Sequence, residues 1–163
     1  MDEKNQKQDE SQNSIEKFVI DEFEILEQIG SGAFSHVHIA KHIPTGCYCA
    51  AKIINLAVKK KDLFTEIMRE VSVFMQIDHP NICSLYRLSV INIDSLSERD
   101  KIKFHVSNGD EIILIFFMEY ATKGTLLEFV NAHNGIPELQ AQKLFIQIFE
   151  GLRYLHIYHF LVH

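Results

Sequence analysis

The sequence predicts an α+β fold, in which a five-stranded antiparallel sheet carries one helix and further helices follow. Two observations support this prediction. Residues 23–54 contain three strand-sized segments of alternating or apolar side chains, joined by tight turns. Residues 62–77 and 137–156 instead repeat apolar side chains at three- and four-residue spacing, as amphipathic helices do.

The first three strands are predicted to form an antiparallel meander. Residues 23–29 form the first strand and lead into a glycine-rich turn at 30–35. Residues 36–42 alternate, with one face carrying Val, Ile and Lys and the other face His and Ala. A Pro-Thr-Gly turn at 44–46 then precedes the third strand at 47–54.

A helix over 62–77 follows the meander and ends where His79-Pro80-Asn81 begins, because proline disfavours helical backbone before it. Two apolar segments, 85–93 and 111–118, predict the fourth and fifth strands. The sheet is therefore completed by strands that come after the helix.

The remaining segments are a tail, a long connection and two helices. Residues 1–17 are almost free of apolar side chains, which predicts a disordered tail. The polar residues 94–110 are predicted as an insertion, with a further short strand at 103–107. A short helix is predicted at 125–133 and a long one at 137–156, where Pro137 suits the first turn.

Composition excludes several classes of function. The 163 residues carry a net charge of −6, whereas a nucleic-acid-binding protein needs a basic surface. No apolar run approaches the ~20 residues of a membrane span, and the acidic start is unlike a secretory signal. Cys47, Cys49 and Cys83 are expected to be reduced core thiols. We therefore expect a cytoplasmic protein without nucleic acid or membrane partners.

The histidines form no predicted metal site. His36 and His38 share a strand face, and His156, His159 and His163 fall at helical spacing. No cysteine pair or acidic cluster supports either set as a zinc site. Nine histidines in 163 residues give such spacings by chance.

The glycine-rich turn predicts a phosphate-binding loop. Gly30 and Gly32 leave room for backbone N–H groups to approach phosphate, while the third glycine position of a G-x-G-x-x-G is Ser35. A dinucleotide-binding fold would continue into a helix and place an acid about 20 residues on. Here a strand follows and Lys52 stands at about that distance, which favours a nucleoside triphosphate.

Five motifs, in order from Phe23 to His163, resemble the eukaryotic protein kinase domain, loosely the calcium/calmodulin-dependent and related serine/threonine groups. They are the glycine loop at Ile29–Val37, the V-A-I-K-like strand at Cys49–Lys52, the αC exit at His79–Ile82, the fifth strand and hinge at Ile113–Ala121, and an αE-like helix at Leu139–His156. The resemblance implies an N-lobe over 18–121, with a five-stranded sheet and the αC helix. The first helices of a C-lobe would follow over 122–163.

The resemblance also implies ATP as the ligand, Mg²⁺ as its metal and a protein as the substrate or partner. The implied ATP-binding residues lie in the glycine loop, the third strand and the hinge. They are Ile29, Gly30, Ser31, Gly32, Ala33, Phe34, Ser35, His36, Val37, Ala50, Lys52, Met118, Glu119 and Ala121. Met118 is the implied gatekeeper, and the backbones of Glu119 and Ala121 would bind adenine.

Lys52 would contact the α- and β-phosphates and pair with an acid on αC. Spacing favours Glu70 as that acid, with Glu66 as its rival. In the family order the catalytic Asp and the metal-binding Asn and Asp come after His163, so no metal ligand is assigned and this chain alone is expected not to transfer phosphate. The alternative to the ATP-binding part of a kinase is a non-catalytic, pseudokinase-like module that binds nucleotide or a partner.

The αE-like helix is expected to expose an apolar stripe, because the family packs that helix within its helical lobe. Leu144, Ile148, Leu152 and Leu155 form the stripe. We expect poor solubility or a partner chain that covers it.

Overall fold

The computed structural model of the protein describes residues 18–32, 35–56 and 61–157. Its central feature is a six-stranded sheet in the order β1-β2-β3-β4-β6-β5, with every neighbouring pair antiparallel. The strands are β1 (Val19–Ile20), β2 (Phe23–Ser31), β3 (Ser35–His42), β4 (Tyr48–Leu56), β5 (Leu85–Asn92) and β6 (Ile112–Met118). The five predicted strands are thus confirmed, and β1 adds a two-residue strand at one edge. The tail expected at 1–17 and the last six residues of the implied C-lobe start, 158–163, lie outside the described residues.

Four α-helices accompany the sheet in the described part of the chain: α1 (Lys61–Phe74), α2 (Glu98–Lys103), α3 (Leu126–Ala132) and α4 (Glu138–Ile157). α1, α3 and α4 confirm the predicted helices. Thr125 and Glu128 cap the start of α3 reciprocally, each side chain accepting from the other residue's backbone N–H. Of the described helices, none has the length and apolar character needed to cross a membrane.

The main hydrophobic core lies on one face of the sheet. On β4 and β6 it is built by alternate residues that pair across the strands, such as Ile53 with Ile115 and Ala51 with Phe117. Phe23 stacks on Phe117 with ring centroids 3.9 Å apart. The strands' period of two therefore sends every second side chain into this core.

Residues 93–106, here called the cover segment, close over that core face. Phe104 is fully buried there and meets the Phe18 ring edge-on at 4.8 Å. The Asn55 side-chain amide donates to the carbonyls of Phe104 and His105, at 2.8 and 3.2 Å. The polar connection between β5 and β6 is therefore part of the core structure.

The prediction of a short strand at 103–107 is wrong. The cover segment instead contains a 3₁₀ turn (Ile93–Ser95) and α2, which ends at Lys103. The Ser97 hydroxyl accepts from the Asp100 N–H at 3.2 Å and so caps the start of α2. Acids in the first turn and lysines in the last turn also suit the helix dipole. Local capping thus favours a helix in this segment.

The expectation of core thiols holds for one of three cysteines. Cys49 is buried in β4, and burial raises the pKa of its thiol to about 11. Cys47 and Cys83 are exposed, so the expectation is wrong for them. Both stand outside the strands, Cys47 before β4 begins and Cys83 before β5 begins, where no alternation directs a side chain inward.

Helix α4 contacts the loop after α1 and leaves its apolar side exposed. The hydrogen of Gly151 faces Asn81, whose carbonyl oxygen would be 3.2 Å from an added Cβ, and the Tyr154 ring lies 5.0 Å from that of His79. Ile148 and Leu152 of the predicted stripe are exposed at 51% and 42%, while Leu144 and Leu155 are half-buried. The exposure expected for the stripe is thus confirmed for two of its four residues.

Candidate nucleotide-binding site

The face of the sheet opposite the core gathers four of the implied ATP-binding residues. Lys52 in β4 pairs with Val37 of β3 on one side and with Phe116 of β6 on the other. Ala50 pairs with Met118 in the same way. Directly opposed residues share a face, and so do residues two apart in a strand. Val37, Ala50, Lys52 and Met118 therefore lie together on one side of the sheet.

The glycine-rich turn joins β2 to β3 at the edge of this face. Gly30 pairs with Val37, and the Gly32 N–H donates to the Ser35 carbonyl at 2.7 Å. A Cβ on Gly32 would lie only 3.3 Å from the Ser35 hydroxyl oxygen, which is tighter than an ordinary contact. Small residues thus let the hairpin close tightly beside Val37. Ala33 and Phe34 lie outside the described residues.

Ile29 occupies an irregular position in β2. The pairing of β2 with β3 shifts register between Gln28 and Gly30, which leaves Ile29 as the extra residue of a bulge. Its side chain is 45% exposed. Ser31 pairs with His36 immediately beyond, so the bulge stands directly before the glycine-rich turn.

The segment after β6 presents free backbone groups at the end of the same face. The Glu119 N–H donates to the Ser84 carbonyl at 2.9 Å, and the Glu119 carboxylate accepts from the Ser84 N–H at 3.3 Å. This double contact holds Glu119 against the residue before β5. Within residues 18–32, 35–56 and 61–157, the Glu119 carbonyl and the Ala121 N–H have no hydrogen-bond partner. One acceptor and one donor are therefore available there.

Helix α1 lies against the face that carries Lys52. Ile67, Val71 and Phe74 of α1 enclose, with Ile54, Leu114 and Phe116, a cavity of about 330 Å³. Phe116 is the cross-strand neighbour of Lys52, so the cavity adjoins that lysine. No carboxylate among the described side chains forms an ion pair with Lys52. Glu70 and Glu66 are residues of α1, but their side chains lie outside the described part of the structure.

His36 is not brought together with the other implied site residues. It pairs with Ile53 and therefore points to the core face, where its ring stacks on His105 with centroids 4.1 Å apart. Only its backbone belongs to the glycine-rich hairpin. His36 stays a predicted residue of the nucleotide site through its backbone, because alternation in β3 puts its side chain and that of Val37 on opposite faces.

Two residues that neighbour the site were not predicted from the sequence. Phe116 stands two residues before Met118 in the same strand, so the period of two could have placed it beside Lys52. Ser84 anchors Glu119 from a segment 35 residues away, and no local pattern marks it. The site as a whole offers a cation, one free backbone donor, one free backbone acceptor and an apolar surface, which suits a phosphate-bearing ligand with a planar ring.

Comparison with known proteins agrees with this geometry. Residues 23–163 match the family model described as the protein kinase domain. A serine/threonine-protein kinase ATG1a of Arabidopsis thaliana is 29% identical over 143 residues, which cover 88% of this chain and 20% of the relative. A carbon catabolite-derepressing protein kinase of Candida albicans is 32% identical over 138 residues, covering 84% of this chain and 19% of that protein.

A third relative is the serine/threonine-protein kinase cds1 of Schizosaccharomyces pombe. It is 30% identical over 147 residues, which cover 90% of this chain and 29% of the relative. The chain thus spans between about a fifth and a third of the length of these curated relatives.

Proposed function

The chain belongs to the protein kinase family, and from that premise we propose that it is the ATP-binding part of a kinase that transfers the γ-phosphate of ATP to serine or threonine residues of a protein. One observation carries the proposal: Lys52 shares a sheet face with Val37, Ala50 and Met118, beside the glycine-rich hairpin. The relatives described as serine/threonine kinases support the substrate class.

In this proposal the phosphates lie against Lys52 and the backbone N–H groups of the hairpin. An ammonium group and fixed amide dipoles both stabilise phosphate charge. ATP, when bound, would supply the transferable phosphoryl group, and Mg²⁺ would neutralise its charge; no described residue is assigned as a ligand of that metal. The pairing of Lys52 with Glu70 stays a prediction, with Glu66 as its rival.

The adenine ring is proposed to lie against the apolar side chains of Val37, Ala50 and Met118, close to Ile29. The free Glu119 carbonyl would accept from the exocyclic amine, and the Ala121 N–H would donate to a ring nitrogen. Both groups lack a partner among the described residues, which supports this assignment. A buried apolar wall with a few fixed polar groups is the usual form of such pockets.

The division into an N-lobe over 18–121 and the start of a C-lobe over 122–163, with 94–110 as an insertion, is also proposed. The sheet ends at Met118 and two helices follow, which supports it. Cytoplasmic location is likewise a proposal, and the three free cysteines are compatible with a reducing compartment.

The test is the affinity of the full-length protein for a non-hydrolysable ATP analogue. Lys52→Met should weaken binding at least tenfold, which corresponds to about 1.4 kcal/mol. Lys41→Met is the matched control, because Lys41 lies on the same face of β3 but pairs with Tyr48 at the far end of β4. Lys41→Met should change affinity less than twofold. Equal affinities of wild type and Lys52→Met, with unchanged urea midpoints, would refute the site.

Phosphoryl transfer separates the kinase from the pseudokinase-like alternative. The full-length protein of which this chain is proposed to be the ATP-binding part is incubated with labelled ATP, Mg²⁺ and a generic protein substrate. Incorporation of phosphate into serine or threonine that Lys52→Met abolishes supports the kinase. Tight binding of the ATP analogue without any incorporation supports the non-catalytic module instead.

A further inference from the structure

Three histidines meet under the cover segment, on the side of the sheet away from the proposed ATP site. His36 and His38 come from β3 and His105 from the cover segment; we call them the histidine cluster. The rings of His36 and His105 stack with centroids 4.1 Å apart and an interplanar angle of 26°. The His38 side chain is buried, with its Nδ1 3.2 Å from the Leu26 carbonyl. The cluster thus joins β3 to the cover segment.

Polar atoms at this interface are left without partners. Within the described part of the chain, His36 Nδ1, His38 Nε2 and Asn55 Oδ1 are buried and accept or donate no hydrogen bond. The His105 backbone adopts a left-handed φ of 53°, which is uncommon for a residue other than glycine. Unpaired buried polar groups are costly, so the contact between the sheet and the cover segment is less stable here than a fully hydrogen-bonded contact would be.

The groups that surround the cluster are cationic or neutral. Lys103 and His105 approach from the cover segment, Asn55 from β4, and the Leu26 carbonyl from β2. No described carboxylate acts on either β3 histidine; Asp100 of α2 acts on Lys103 instead. A proton added to a ring would therefore meet like charge without a counter-ion.

Burial and the nearby like charge both lower the pKa of each β3 histidine. Burial lowers the pKa of His36, and His105 and His38 lower it further. Burial also lowers the pKa of His38, with Lys103 and His105 adding to the effect and the hydrogen bond to Leu26 opposing it. Both rings thus bind a proton less readily while the cover is closed than an exposed histidine does. No group of three His, Cys, Asp or Glu residues in the described ranges could hold a metal ion.

We propose that the histidine cluster is an acid-sensitive latch, whose protonation releases the cover segment from the sheet. In the released state the rings are hydrated and take up protons with their ordinary affinity. In the closed state they bind protons more weakly, so protons favour release. This inference does not depend on nucleotide binding.

The pH range of the latch follows from that difference. Well above an ordinary histidine pKa of about 6.5, both states are neutral and the closed form gains or loses nothing. As the pH falls below that value, the released state binds protons and gains population. Between pH 7.5 and pH 5.5 each histidine favours release by up to about tenfold, and the two together by up to about 100-fold.

The experiment measures amide hydrogen exchange of peptides from residues 93–106 in the full-length protein at pH 7.5 and pH 5.5, after correction for the intrinsic exchange rate. The wild type should open between several-fold and about 100-fold more often at pH 5.5. His36→Gln combined with His38→Gln should reduce this response to under threefold, since glutamine stays neutral and can still donate to Leu26. The matched control is His133→Gln, an exposed histidine of the α3 end that should keep the wild-type response.

Two results would overturn the latch. One is a wild-type cover segment whose corrected exchange is the same at both pH values. The other is a double variant that retains the full response. Should the double variant not fold, ¹³C-labelled histidine NMR of the wild type decides: ring signals of His36 and His38 that titrate at or above the ordinary histidine pKa of about 6.5 refute the proposal, and lower titration supports it.

Discussion

Removal of the Phe104 ring tests whether the cover segment is a structural part of the sheet core. The ring is fully buried, and it meets the Phe18 ring edge-on at 4.8 Å. Truncating a buried phenylalanine to alanine costs about 3–5 kcal/mol, from lost burial and from the cavity left behind. The edge-on ring pair accounts for about 0.5–1.5 kcal/mol of that loss.

The assay is urea unfolding followed by circular dichroism. With a slope of about 2 kcal/mol per molar urea, Phe104→Ala should lower the midpoint by roughly 1.5–2.5 M. Because a domain has only about 5–15 kcal/mol of stability in total, Phe104→Leu provides a milder variant, expected to cost about 1–2 kcal/mol. A double-mutant cycle with Phe18→Ala isolates the contribution of the ring pair.

Ile102, in the last turn of α2, provides the matched control in the cover segment. It stands two residues before Phe104, but its side chain is 77% exposed. Ile102→Ala should therefore change the free energy of unfolding by no more than about 0.5 kcal/mol. Equal urea midpoints for Phe104→Ala and Ile102→Ala would show that the cover segment is not packed on the sheet, and the argument from burial would fail.

Two further predictions concern the thiols and the cap of α3. At pH 8 a thiol reagent should modify Cys47 and Cys83 in the folded protein but Cys49 only on unfolding, because Cys49 is buried and its pKa is raised to about 11; three equal rates would contradict this. Thr125→Ala should raise amide exchange in α3 roughly fivefold, since an N-cap side chain contributes about 1 kcal/mol, and Thr125→Ser should restore it. Hydrogen bonds from the Thr125 backbone and hydroxyl lower the pKa of Glu128, so the cap is intact above the ordinary carboxyl pKa and is lost as the pH falls through the lowered value.

Much of the sheet could be predicted because its signals are local. The glycine-rich turn and the Pro44–Gly46 turn delimit β2, β3 and β4, and the alternation in residues 36–42 assigns each side chain to a face. The common face of Ala50 and Lys52 follows from their spacing of two. The same rule separates His36 from Val37, so the sequence contained the information that removes the His36 side chain from the site.

In the connection at 94–110, local sequence patterns did not predict the structure. Its polar composition predicted an insertion with one further short strand, yet Phe104 in it is fully buried. In place of the strand predicted at 103–107, the Ser97 cap begins a helix that ends at Lys103. Composition describes a segment's average polarity, and a single ring that packs on a distant sheet hardly changes that average.

The sequence by itself determined the α+β class, the order of the strands and helices, the glycine-rich hairpin and the position of Lys52 behind it, because these depend on residue types and on spacings within one segment. Only the tertiary structure decided that Phe116 pairs with Lys52, that Ser84 holds Glu119, and that His105 stacks on His36. Each of those contacts joins residues more than 30 positions apart. Their meeting depends on strand register and on chain closure, which no periodicity within a single element encodes.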